Sequence, residues 1–153
     1  MTRGTSALPD AAATAAIGAA VAERLRPGDV VALEGPLGAG KTTLVRGLLA
    51  ELGLEGQAPS PSFALVIDYA LPEVRLPVAH VDLYRLEQAG ELVELGLDDA
   101  LDGGALLVEW PERAGPGAWP QALRLILTPD GAGRRLTWEA PAAWETRWPP
   151  ARS

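Results

Sequence analysis

Several common residue types are missing or nearly missing from this chain of 153 residues, and each absence excludes a class of function. There is no cysteine, so disulfides and thiolate metal sites are excluded. There is no asparagine, and Lys41 is the single lysine beside twelve arginines. The net charge of -7 disfavours direct binding to DNA or RNA, because neutralising phosphates requires clustered lysine and arginine. No run reaches the roughly 18 apolar residues that span a bilayer, so no membrane association is expected.

The composition indicates one globular domain. Hydrophobic residues make up 48% of the chain and charged residues 22%. We predict a domain over residues 1–140, followed by a proline-rich tail over residues 141–153. The alanine-rich run 11–22 is predicted to be a helix capped by Asp10 rather than a targeting segment, so a cytoplasmic location is expected.

The lone lysine closes a phosphate-binding pattern. Residues 35–42 read GPLGAGKT and match GxxxxGK[ST] at every fixed position. Backbone N–H groups of such a loop bind anions together with the N-terminus of the next helix, Lys41 reaches the β- and γ-phosphates, and Thr42 offers its hydroxyl to magnesium. The alternative is a glycine-rich turn with an incidental lysine. A buried-strand pattern over 29–33 and a helical pattern over 43–52 favour the phosphate loop, because they supply its strand–loop–helix context.

The remaining pattern completes a fold prediction. Strands are predicted over 64–69, 78–82 and 105–108, a helix over 87–101, and a hairpin of strands 123–128 and 135–139 around the turn 129–133. We therefore predict an α/β fold, a single compact P-loop NTPase domain with a mostly parallel central sheet and a late antiparallel hairpin.

Two of these strands end in a carboxylate, Asp82 and Glu109. Phosphoryl transfer uses an acid at a strand end to hold magnesium and a second polar group to orient the attacking water. Either acid could take either role, and the alternative is that each strand simply ends where the chain turns polar. His80 shares a strand face with Asp82, so it either transfers a proton or, as we favour, supports Asp82 through packing or a hydrogen bond.

Other polar and aromatic residues leave two interpretations open. Ser60 and Ser62 place hydroxyls in the glycine- and proline-rich segment 53–62, where nucleotide switches are common, but an ordinary serine–proline turn fits equally well. The five tryptophans are candidate partner contacts, although packing is the commoner role.

Four motifs together resemble one family. GPLGAGKTTLVRGLL, SPSFALVIDY, HVDLYRL and LVEWPE stand in the order and spacing of the TsaE (YjeE) family, small bacterial ATPases required for threonylcarbamoyladenosine formation in tRNA. The resemblance covers about residues 9–137. It implies ATP and Mg²⁺ as cofactors and the proteins TsaD and TsaB as partners. TsaD modifies adenosine 37 of tRNAs that read codons beginning with A, so tRNA would be met only through the complex.

The resemblance also implies roles for individual residues. The ATP-binding loop corresponds to Gly38, Ala39, Gly40, Lys41, Thr42 and Thr43. Magnesium would be held by Thr42, Asp82 and Glu109. The catalytic set would be Lys41, Asp82, Glu109 and Ser62. A phosphate contact falls on Arg134, with Arg135 beside it as the alternative. The family usually has threonine where Ser62 stands, so the hydroxyl is kept but the methyl group that helps to orient it is lost.

Three rival functions have sequence signatures of their own. A small-molecule kinase needs an acceptor pocket and usually an arginine-rich lid, whereas the arginines here are scattered. A GTPase normally reads its base with an asparagine-lysine-x-aspartate motif, which a chain without asparagine lacks. A nucleotide-gated scaffold with negligible hydrolysis stays open, because binding and turnover share most residues.

Overall fold

The computed structural model describes residues 1–36, 38–56, 66–86, 90–115 and 117–149, and within them the chain forms one mixed sheet with helices on both faces. The strands are β1 (Thr2–Leu8), β2 (Val30–Glu34), β3 (Val66–Tyr69), β4 (Val78–Asp82), β5 (Ala105–Glu109), β6 (Leu123–Asp130) and β7 (Gly133–Ala140). The helices are α1 (Ala11–Arg24), α2 (Lys41–Glu51), α3 (Gly90–Glu94) and α4 (Leu97–Ala100), with a 3₁₀ turn over Pro111–Ala114.

The centre of the sheet is parallel and its margins are antiparallel. The strand order is β1-β7-β6-β2-β5-β4-β3. Strand β2 runs parallel to both β5 and β6, and β4 runs parallel to β5. The β6–β7 hairpin, β1 and β3 add antiparallel pairs. The predicted α/β fold with a mostly parallel centre and a late hairpin is therefore confirmed.

Alternate side chains of the central strands point into two apolar layers, one on each face of the sheet, as expected of a sheet covered on both faces. Val31 and Leu33 face the layer under α1 and α2, while Val30 and Ala32 face the layer that contains Leu97 of α4. The carboxyl ends of β2, β4 and β5 meet the N-terminus of α2 at one edge of the sheet. This edge is where the candidate site lies.

Helices α1 and α2 cross closely because glycine stands at both contact points. A Cβ atom on Gly18 would lie 2.0 Å from the carbonyl oxygen of Leu44, and one on Gly47 would lie 2.2 Å from that of Ala15. Real Cβ atoms do not approach backbone so closely. This crossing fixes the start of α1 beside the phosphate loop.

Three elements differ from or add to the sequence prediction. Strand β1 was not predicted. The helix expected over 87–101 is, within the described part of that range, two short helices, because the chain turns at Gly96, which has a φ of +64°. In the segment after residue 140, Trp144 and Trp148 lie in the core layer under α1 and α2. The division into residues 1–140 and a tail stays a prediction.

Candidate nucleotide-binding site

The glycines of the loop after β2 serve different physical purposes. Gly35, Gly38 and Gly40 all have positive φ, at +141°, +78° and +103°. A Cβ on Gly35 would lie 2.3 Å from the carbonyl oxygen of Leu127, so this position needs glycine in order to pack against β6. A Cβ on Gly38 would meet no atom within 4 Å, and this glycine lines an open cleft. The loop therefore combines a packing glycine with glycines that leave backbone accessible.

The N-terminus of α2 has no side-chain cap, in contrast to α1. Asp10 caps α1 by accepting a hydrogen bond from the Ala13 N–H at 2.8 Å. Gly40 precedes α2, offers no side chain, and the first turn of α2 contains no acidic residue. The positive end of this helix dipole faces the cleft, and such an end favours an anion.

Lys41 is the first residue of α2 and is almost fully buried. Its Nζ donates a hydrogen bond to the carbonyl oxygen of Gly35 at 2.7 Å and lies 3.9 Å from the centre of the Trp110 ring. Burial lowers the pKa of Lys41, while the nearby carboxylates of Glu109 and Asp82 act in the opposite direction. The ammonium is thus held inside the loop with few neutralising partners, which suits a polyanionic ligand.

The two acids predicted at strand ends stand side by side. Asp82 and Glu109 are register partners on the parallel strands β4 and β5. Asp82 Oδ1 accepts a hydrogen bond from the Tyr84 N–H at 2.9 Å. Burial raises the pKa of Asp82 and Glu109 raises it further, against the lowering effect of that hydrogen bond. A cation beside the two acids would lower the free-energy cost of keeping Asp82 ionised in this partly buried position.

The side-chain hydrogen bond of His80 goes to Glu109, whereas sequence reasoning favoured support of Asp82, on which His80 acts only through its charge. Its Nε2 lies 2.7 Å from Oε2 of Glu109, and both side chains are buried. The bond crosses between two strands, so spacing along one strand gave no signal for it.

The two candidate arginines have different partners in the structure. Arg134 donates from Nε to the carbonyl oxygen of Ala39 at 3.1 Å and from Nη2 to that of Gly38 at 3.0 Å. Arg135 instead pairs with Asp130 on the exposed side of the hairpin, at 3.1 Å. Only Arg134 therefore lies at the phosphate loop.

Eight of the predicted site residues line one cleft of about 300 Å³, whereas Ala39 is buried and does not line it. It is lined by Gly38, Gly40, Lys41, Thr42, Thr43, Asp82, Glu109, Trp110 and Arg134. A second cleft of about 240 Å³ shares Gly40, Thr43 and Arg134 with it and extends to Asp10 and Thr14 of the α1 start. The two clefts are therefore neighbours at the N-terminus of α2.

The donor set suits a metal that arrives with a ligand. Within the described residues, no group of three or more histidine, aspartate and glutamate side chains converges on one point. Mg²⁺ is commonly bound by one or two carboxylates together with substrate phosphates, rather than by an all-protein cage. Asp82, Glu109 and the Thr42 hydroxyl fit that pattern.

Comparison with known proteins identifies the family. The family model described as "Threonylcarbamoyl adenosine biosynthesis protein TsaE" matches residues 8–136. The chain belongs to the TsaE family. Proteins of this family take part in threonylcarbamoyladenosine biosynthesis in tRNA, and the resemblance drawn from the four motifs is confirmed.

Individual TsaE relatives agree with this assignment. The TsaE protein of Nostoc sp. is 42% identical over 111 residues, which cover 69% of this chain and 67% of the relative. That of Bacillus subtilis is 44% identical over 98 residues, covering 63% of this chain and 60% of the relative. The crystal structure of Bacillus subtilis YdiB superposes with a TM-score of 0.77 at 29% identity, over 95% of this chain and 90% of that one.

Some features of this TsaE chain lie beyond what sequence reasoning reached. Ser62 falls outside the described residues, so its proposed catalytic role stays a prediction. The Trp110 ring over Lys41 was missed, because a tryptophan after a strand-end acid carries no spacing signal for a distant lysine. Among the described helices, none is both long and apolar enough to cross a membrane.

Proposed function

We propose that this protein binds ATP with Mg²⁺ at the phosphate loop and hydrolyses it in support of threonylcarbamoyladenosine formation by TsaD and TsaB. The observation that carries the proposal is the convergence of a bare loop, an uncapped helix N-terminus, Lys41 and two strand-end acids on one cleft. The loop and helix supply N–H donors for phosphate oxygens, and Lys41 supplies a positive charge beside them.

We assign the binding of the metal ion and the orientation of the attacking water to Asp82 and Glu109. When bound, Mg²⁺ neutralises negative charge on the phosphates and polarises them towards attack by water. Asp82 and the Thr42 hydroxyl would hold the ion, while Glu109, fixed between strands, would orient the water. Asp82 is better suited to the ion, because burial already raises its pKa and a bound cation offsets that cost.

The second cleft gives the rest of the nucleotide a place to lie. It continues from Gly40 and Thr43 towards the start of α1, past Arg134. With phosphates over the loop, the sugar and base would extend along this cleft. A nucleotide would then span both clefts and contact α1 as well as α2.

The negative charge of the chain is consistent with tRNA being bound by the partner proteins and not by this one. A net charge of -7 gives the protein little affinity for a tRNA backbone, so contact with tRNA would pass through the TsaD–TsaB assembly. An ATP-dependent subunit of a tRNA-modifying complex acts in the cytoplasm, and we propose that location here.

The first test replaces Lys41. We expect Lys41→Ala to weaken ATP binding by about 100-fold or more, equivalent to about 2.7 kcal/mol, and to abolish phosphate release and tRNA modification in a reconstituted mixture with TsaD and TsaB. Calorimetry with ATP and Mg²⁺ would measure the binding, and released phosphate the turnover. A Lys41→Ala protein with unchanged affinity and rate would refute the role of the loop.

Adjacent arginines give a matched control for this test. Arg134→Ala removes a side chain that contacts the loop carbonyls, and Arg135→Ala removes one that faces Asp130. We expect the first to weaken ATP binding and the second to leave it unchanged. Tight binding with no hydrolysis under any condition would instead favour a nucleotide-gated scaffold. Turnover only with a small-molecule acceptor would indicate a kinase.

A further inference from the structure

We infer that His80 is a positioning residue that fixes Glu109 in the cleft, an inference that rests on the proposed ATPase function. His80 touches none of the surfaces expected to meet the nucleotide and does not line either cleft. It acts on the site through a single hydrogen bond to a residue that does line it.

The geometry of the pair is specific. Nε2 of His80 and Oε2 of Glu109 are 2.7 Å apart, and the two residues are 1% and 4% exposed. His80 stands opposite Leu107 in the β4–β5 register, whereas Glu109 stands opposite Asp82. The Glu109 side chain therefore bonds diagonally to His80, although Asp82 is its direct neighbour.

The carboxylate determines which atom of the pair carries the hydrogen. A carboxylate oxygen only accepts hydrogen bonds, so Nε2 of His80 carries the hydrogen and donates it to Glu109. Nδ1 of His80 is buried and has no hydrogen-bond partner among the described residues. Within that part of the chain, the bond to Glu109 is therefore the hydrogen bond that orients the ring.

The His80–Glu109 hydrogen bond means that the two acids of the cleft are held differently. The imidazole bonds Oε2 of Glu109 and so restricts the rotation of this carboxylate. Asp82 has a hydrogen bond only from the Tyr84 backbone N–H, at 2.9 Å, within the described part of the chain. A water-orienting group must be held within a fraction of an ångström, whereas a metal-binding carboxylate adapts to its ion. His80 thereby assigns the orienting role to Glu109.

The first experiment observes the imidazole directly. His80 is the only histidine in the chain, so a long-range ¹H–¹⁵N correlation spectrum contains one imidazole pattern. We expect the pattern of an Nε2–H tautomer, displaced strongly by Glu109→Gln and little by Asp82→Asn. An Nδ1–H tautomer, or a larger displacement with Asp82→Asn, would overturn the inference.

The second experiment separates positioning from packing. His80→Leu keeps the apolar volume but removes the donor, while the amide of His80→Gln can place an N–H near the Nε2 position. We expect His80→Leu to lower the rate of ATP hydrolysis about tenfold or more, with ATP affinity within about twofold of wild type, and His80→Gln to restore most of the rate. Equal losses in binding and hydrolysis, or no restoration by a folded His80→Gln protein, would show a structural role.

Tyr69 offers the matched control. Its hydroxyl on β3 is also buried without a partner among the described residues, but it lies outside both clefts. Tyr69→Phe should leave the hydrolysis rate near that of wild type. A wild-type protein that hydrolyses no ATP would overturn the proposed function, and the imidazole spectrum would still decide whether His80 holds Glu109.

Discussion

In the described part of this TsaE protein, a cation lies over a tryptophan ring at two places, and the surroundings of these two cations differ. At the phosphate loop, Nζ of Lys41 is 3.9 Å from the centre of the Trp110 ring. In the segment after β7, the guanidinium of Arg147 is 4.1 Å from that of Trp144. We call the second group, Asp29, Trp144 and Arg147, the C-terminal clamp. Both cations are largely buried, so the difference lies in what else they contact.

The cation of the clamp is almost fully partnered. Arg147 pairs with both oxygens of Asp29, at 2.6 and 2.9 Å, and donates to the carbonyl oxygens of Arg24 and Ala143 at 2.7 and 2.8 Å. Asp29 also accepts from the Arg26 N–H at 2.7 Å. Such bidentate geometry with backbone acceptors compensates for the loss of hydration.

The cation of the loop is only partly partnered. Lys41 has three donors and, within the described residues, makes one hydrogen bond, to the Gly35 carbonyl oxygen at 2.7 Å. Burial lowers its pKa and raises that of Asp82, so both charged forms are held at a cost. In this protein, the buried charge with partners stabilises the fold, and the buried charges without them mark a ligand site.

Breaking the clamp should have the largest effect on stability. Arg147→Ala leaves the Asp29 carboxylate buried without its cation, and we expect the free energy of unfolding to fall by about 3–5 kcal/mol. Denaturant unfolding would measure the loss. ATP binding by the protein that remains folded should be unchanged, because no clamp residue lines either cleft.

An exposed ion pair supplies the control for the clamp. Arg135 pairs with Asp130 at 3.1 Å in the hairpin, and the two side chains are 50% and 46% exposed. Arg135→Ala should cost about 1 kcal/mol or less, as is usual for surface pairs. Similar losses in Arg135→Ala and Arg147→Ala would contradict the claim that the clamp is a buried, stabilising pair.

The sequence was most informative where chemistry requires a fixed spacing. The phosphate loop has one lysine at one position, and the acids Asp82 and Glu109 end apolar strands, so both could be found without a structure. The central strands were predictable for a similar reason, because a run such as 105–108 is apolar on both faces. Turn residues at 129–133 likewise marked the β6–β7 hairpin.

What the sequence concealed depends on contacts between distant segments. Strand β1 is mainly polar and exposed, and it becomes a strand by pairing with β7, so its residues carry little apolar alternation. The contact of His80 with Glu109 joins two strands, and that of Arg147 with Asp29 joins residues 118 apart. No local pattern encodes such partners.

Removing the charge of Asp82 should raise the free energy of unfolding, whereas removing the charge of Arg147 should lower it. Asp82→Asn keeps the oxygen that accepts from the Tyr84 N–H but removes a carboxylate whose pKa burial raises. We expect a free energy of unfolding above that of wild type at pH 7, by less than the Arg147→Ala loss. ATP hydrolysis should fall sharply in the same variant.

The stability gained by Asp82→Asn should depend on pH. A folded-state pKa above the unfolded value means that the protonated Asp82 favours the folded state. Wild type gains this stability at low pH and loses it as the pH rises through the folded-state pKa. The advantage of Asp82→Asn should therefore shrink as the pH falls through the raised folded-state pKa, and it should be lost by about pH 4, the ordinary aspartate pKa. An advantage that grows on acidification would contradict the assigned shift.

A smaller effect than the loss at the clamp is expected for the Lys41–Trp110 contact itself. A double-mutant cycle with Lys41→Met and Trp110→Leu, measured by denaturant unfolding without nucleotide, should give a coupling of about 0.5–2 kcal/mol. Trp110 has a φ of +58° in the wild type, and leucine meets the same backbone strain, so the cycle isolates the ring. The ammonium lies 3.9 Å from the centre of the ring, so removing either partner alone should remove the same interaction. A coupling near zero would contradict a direct attraction between the Lys41 ammonium and the Trp110 ring.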